Sequence, residues 1–265
     1  MFGSVYSKSM WVSRKSIIIW ALSMAALMLM MVLMFPSIGE SGGYAAIANE
    51  MPDAMKAFVG EFGNVSTPEG FLGVEMYSMM VPVMLLVLAV GQGSGAIGKE
   101  EDSGTLELLL ASPLSRTKIL FQKALAMITN VIIVGMSAVV GIYIGKLFVE
   151  FDIDFSKIFW ATAVASMLAI VFGLISLLIT AFGGGRGTAI GVSAGIFIVS
   201  YFLNTLPSVI TWLEPYQRFS INKYGDAQAT LLHGANFSYV LVLLALALVI
   251  YLLANPLFSR RDTGV

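Results

Sequence analysis

The sequence contains no cysteine and a single histidine, His233. A Cys or Cys/His zinc site and a disulfide framework are therefore excluded, and cysteine usage carries no record of a redox compartment. Charge is scarce too: 12% of the 265 residues are Asp, Glu, Lys or Arg, against 58% hydrophobic. A soluble domain of ordinary composition carries about 25% charge. With a mean hydropathy of +0.87, the chain reads as an integral membrane protein. No Lys, Arg, Asp or Glu stands at the centre of an apolar run. Ion- and proton-coupled carriers keep an ionisable group there, so secondary transport is disfavoured.

What is present is long apolar runs. A helix crossing a hydrocarbon core of about 30 Å needs about 20 apolar residues. Six windows meet this, near 16–35, 76–98, 119–145, 158–182, 188–206 and 237–257. They lack the two-residue alternation of a membrane barrel, and lipid leaves helices as the other spanning structure, so the expected fold is an all-α, six-helix membrane protein forming one domain over 1–265. Orientation follows from Lys and Arg. With both termini inside, Lys8, Arg14, Lys15, Lys99, Arg116, Lys118, Lys123, Arg186, Arg260 and Arg261 lie on the cytoplasmic side, ten of the fifteen. That bias predicts an N-in, C-in topology. The first run follows Lys8, Arg14 and Lys15 as a signal peptide would, but it is too long and lacks a small-x-small site, so it reads as an uncleaved anchor.

The outer loop 36–75 is long. Pro52, with Met51, Met55, Phe58 and Phe62 on one side, predicts a short helix on the outer membrane surface. Gly91 and Gly95 are spaced for close helix packing, with Gln92 as an interhelical hydrogen-bonder. Gly183, Gly187, Gly191 and Gly195 recur every four residues and form a smooth strip suited to contact within the bundle or across a dimer. Asn130 and Asn204 read as helix–helix hydrogen-bonders, and Met24, Met28 and Met31 as apolar filler rather than a copper(I) site. Residues 2–15 could form an amphipathic helix before the first span.

The segment GQGSGAIGKEED comes within one letter of a phosphate loop, since Gly93, Gly98 and Lys99 fit G-x-x-x-x-G-K. Glu100 stands where a magnesium-binding hydroxyl is required, three carboxylates would crowd a triphosphate, and the segment leading in is an apolar helix. The segment therefore does not read as a nucleotide site. After it, Glu100, Glu101 and Asp102 precede a short helix beginning near Ser103 to Thr105, with Leu106, Leu109 and Leu110 on its apolar face and Pro113 ending it. Ser115 can cap the next span, with Arg116 and Lys118 at the boundary. The result is an amphipathic element on the inner face, joined to two spans.

The stretch KEEDSGTLELLLASPLSRTKILFQKAL, residues 99–125, resembles the cytoplasmic signature of ABC-2-type transporter permeases. Six helices and the ending NPLFSRRD are similar to that family in a less specific way. The resemblance implies the membrane subunit of an ATP-driven exporter in a prokaryotic plasma membrane. It would work as a pair of permeases, a homodimer being expected, with separate cytoplasmic ATPase subunits that bind the ATP and magnesium; the permease itself would need no cofactor. It further implies that Glu100, Glu101, Asp102, Ser103, Gly104, Thr105, Leu106, Leu109, Leu110, Pro113, Ser115 and Arg116 form the element that docks on the ATPase. The aromatic- and Met-rich spans suit a hydrophobic or amphipathic cargo.

Two other classes compete. An intramembrane serine protease at Ser94 fails because His233 falls a membrane thickness away, out of hydrogen-bond reach. A non-transporting membrane scaffold or immunity protein would be told apart by functioning normally beside a catalytically dead ATPase.

Overall fold

The computed structural model describes residues 4–38, 65–106 and 114–260, all helix, turn or irregular backbone, with no strand among them. The expected outer-surface helix near Pro52 lies outside the described residues. In chain order the elements are α1 (Val5–Ile38), α2 (Pro68–Leu72), a π-helical turn (Gly73–Tyr77), α3 (Met80–Asp102), α4 (Arg116–Gly145), α5 (Phe155–Phe182) and α6 (Arg186–Thr205). Two 3₁₀ segments, Leu206–Ser208 and Thr211–Phe219, lead to α7 (Ile221–Tyr224), α8 (Ala227–His233) and α9 (Phe237–Ser259). Among the described residues, six helices are long and apolar enough to cross a membrane: α1, α2 running through to α3, α4, α5, α6 and α9.

The helix starts follow their capping chemistry. Asp154 and Asn236 accept from the amides of Ser156 and Ser238 at the starts of α5 and α9. Thr67 caps α2, and Pro68 occupies the position where a missing N–H costs nothing. Helix therefore resumes about eight residues before the span expected from residue 76. The N-terminal amphipathic segment is not a separate element: from Val5 it is continuous with the first span.

Helix α5 is the hub. It packs on α3, α9, α4, α8 and α6, and is the most buried of the six spans, whereas α1, α6 and α9 are the least. Close approach is bought with glycine at particular points. A Cβ on Gly93 would strike the backbone of Gly173, and one on Gly173 would lie 2.7 Å from the sulfur of Met127, so α3 and α5 meet there almost backbone to backbone, with the Met127 side chain of α4 packed against them. Gly141 receives the backbone of Ala25, and a Cβ on Gly145 would lie 2.7 Å from Val32, which lays α1 along α4. Met24 and Met28, fully buried with Val32 and Phe35 in one apolar cluster, fill that seam.

The glycines singled out by spacing do other things. Gly91, Gly187, Gly191 and Gly195 have open space where a side chain would be, and Gly95 faces only the stem of Lys99 on its own helix. Among the described residues, none of these five packs against a neighbouring helix. Gly183 ends α5 in the left-handed conformation at φ 108°, with its amide on the Thr180 carbonyl and that of Gly184 on Ile179.

Asn130 does bridge helices. It donates to Ser13 of α1 at 3.1 Å and to Gln92 of α3 at 2.8 Å. Lys8, Lys99, Arg116, Lys118, Arg186 and Arg260 all sit at or near helix ends on one side of the bundle, here termed the basic end. At the far end Lys157 of α5 pairs with Glu69 of α2 at 3.1 Å.

Candidate coupling site at the basic end

The signature segment begins as the last turn of α3, not as a separate helix: Glu100, Glu101 and Asp102 continue the spanning helix. It stops at Gly104, whose φ of 66° an L residue with a Cβ adopts at a cost. The Gly104 amide reaches the Glu101 carbonyl at 3.0 Å and the Thr105 amide the Glu100 carbonyl at 2.8 Å. This pair of bonds is the Schellman closure, and it satisfies two carbonyls that the end of a helix leaves orphaned. The Ser103 hydroxyl donates to the Lys99 carbonyl at 2.7 Å.

The Glu100 carboxylate then ties the turn to the next span. One oxygen accepts from the Thr105 hydroxyl, and the other accepts from Lys123 of α4 at 3.1 Å. Lys123 is 8% exposed and also donates to the Ala96 carbonyl of α3. A buried ammonium needs this set of acceptors, because an unpaired charge away from water is costly. Leu106 is buried with Ala96 and Ile97 of α3, Leu120 and Ala124 of α4, and Ala254 and Phe258 of α9. The segment is thus held from two sides, by an ion pair and by an apolar plug.

On α4, the Ser115 hydroxyl accepts from the Lys118 amide at 3.3 Å, the expected cap. Arg116 donates to the Ser259 carbonyl at 3.3 Å, fastening the start of α4 to the end of α9. Of the twelve residues expected to contact a partner, Glu101, Asp102, Ser103, Gly104 and Ser115 are exposed. Glu100 and Leu106 turn inward instead. Leu109, Leu110 and Pro113 lie outside the described residues, as does most of the expected short helix.

Spacing alone gave no sign of Lys123 as part of this site. It counted as one more cation at a boundary, and only its position one and a half turns inside the apolar run of α4 marks it as needing a partner. Among the described residues no group of His, Asp and Glu is arranged to hold a metal ion. The arrangement has the properties of a mechanical joint: an exposed polar rim whose displacement pulls on α3 through its backbone, on α4 through Glu100 and Lys123, and on α9 through Leu106.

No curated protein sequence matches the chain at a significant level. A sequence model of the family described as "ABC-2 family transporter protein" matches residues 4–263. With six spanning helices and a match over nearly its whole length, the chain belongs to the ABC-2 family of transporter proteins, as a membrane permease component.

Proposed function

We propose that the chain is the permease subunit of an ATP-driven exporter, powered by a separate cytoplasmic ATPase that docks on residues 100–116. The basic end faces the cytoplasm of a prokaryotic cell, giving an N-in, C-in topology. The observation that carries this reading is the doubly held turn at Gly104. Its exposed rim, Glu101 to Gly104, is joined to three spans, as a contact that must transmit displacement requires. ATPase closure pushes the rim and tilts α3 and α4 together. Two permeases pair through the faces of α1 and α6 that the chain leaves uncovered, the open strip at Gly187, Gly191 and Gly195 included. The cargo is hydrophobic or amphipathic, in keeping with the apolar spans.

The test is co-purification from the native membrane, wild type against Glu101→Lys with Asp102→Lys. Both positions are exposed, so the variant keeps the fold. An ATPase that comes down with wild type and is lost from the variant supports the reading; a folded permease that never brings one down defeats it and favours a scaffold.

A further inference from the structure

Helices α1 and α3 both pack on α4 and hardly on each other. They leave between them a groove of about 380 Å³ floored by α4. Its chemistry is graded. Toward the basic end it is lined by Lys8 of α1, Lys99 of α3, Lys123 of α4 and Arg186 at the start of α6; deeper in it is lined by Gln92 and Asn130, between apolar walls that include Trp20 and Val87.

The groove has an excess of donors. Glu100 is the one carboxylate lining it, and it is committed to Lys123. Lys8, Lys99 and Arg186 form no ion pair among the described residues. Two buried polar atoms on lining residues also lack a partner: Nε of Arg186, and Oδ1 of Asn130, a residue only 2% exposed. Such an orphan inside a native fold asks for a partner. Gly91 and Gly95 belong to the same wall, and at Gly91 nothing lies within 4 Å of where a side chain would begin, so glycine keeps the groove clear.

We infer that this groove binds an anionic amphiphile. Its phosphate-type head meets Lys8, Lys99 and Arg186, and its tail leaves past Val87 into the hydrocarbon. Basic pockets between spanning helices recognise anionic headgroups by the same balance of charge and depth. The inference rests on the permease reading only for its membrane placement.

Binding is measured by native mass spectrometry on the purified full chain in neutral detergent, without ATP or ATPase, so failure of the transport reading leaves the result intact. The probes are lysophosphatidylglycerol and lysophosphatidylcholine with the same acyl chain. Preferential binding of the anionic probe is expected. It falls about twenty-five-fold in Lys99→Gln with Arg186→Gln, at about fivefold per cation, and persists in the charge-conserving pair Lys99→Arg with Arg186→Lys, which guards against misfolding. Equal binding of the two probes overturns the inference, as does an equal loss in Lys223→Gln at the far end. Displacement by inorganic phosphate at the lipid's own concentration would assign the site to a free anion instead of an amphiphile.

Discussion

The Glu100–Lys123 pair shows how much a single buried charge commits its neighbours to. With Lys123 8% exposed, removing its partner leaves an ammonium without an anion in an apolar setting. Glu100→Leu is expected to cost about 3–5 kcal/mol, whereas Glu100→Leu with Lys123→Met recovers most of that, because two apolar groups replace both charges. Thermal unfolding of the single and double variants in detergent reads the difference; equal losses would mean that the two groups are not coupled. At Gly104, φ is 66°, so Gly104→Ala costs about 1–2 kcal/mol and loosens the turn without touching its exposed rim. The motif G-T-L thereby acquires a physical reading: glycine reverses the helix, threonine binds the carboxylate of the preceding turn, and leucine plugs the junction. Spacing could place these letters but could not show that Glu100 faces inward, since its partner lies 23 residues on, beyond a connection that hydropathy reads as surface.

Among the elements, helix ends were legible where their causes are local. Apolar length matched the helix bounds to within a few residues except at α2, where Thr67 and Pro68 begin the helix early, and at α1, whose helix already starts at Val5 instead of near residue 16; Ser115 capped α4 as its position implied. Glycine contacts were not legible. Gly91, Gly93 and Gly95 alternate along one helix, and which of them meets a neighbour depends on where α5 passes; it passes with Gly173 opposite Gly93. Gly93→Ala is therefore expected to destabilise the bundle by about 1–3 kcal/mol. Gly187→Ala, with open space around it, leaves the single chain unchanged or stabilises it by about 0.4–1 kcal/mol. Unfolding curves for the two variants, taken side by side, check the assignment, and a large loss at Gly187 would point to a contact outside the chain.

For the whole molecule, the uneven burial of the spans separates what the chain packs by itself from what it leaves uncovered for the proposed pairing. A hub at α5 gives the single subunit a core, while the uncovered strip on α6 is the place where a pair would form. Gly191→Leu is expected to lower the dimer fraction severalfold in cross-linking while leaving the unfolding temperature of the isolated subunit unchanged; an unaltered dimer would move the interface off α6.

Helix α1 has a further consequence. Its 34 residues make a rod of about 51 Å, at 1.5 Å per residue, set in a slab whose oily interior is about 30 Å thick. The first three turns, which carry Lys8, Trp11, Arg14 and Lys15, must therefore stand outside the oil or force the rod to lean. Thickening or thinning the surrounding bilayer alters that lean, and because the rod lies along α4, the inclination is passed to the bundle. The permease should work as a gauge of membrane thickness, its turnover peaking at one acyl-chain length when reconstituted across a graded series of lipids.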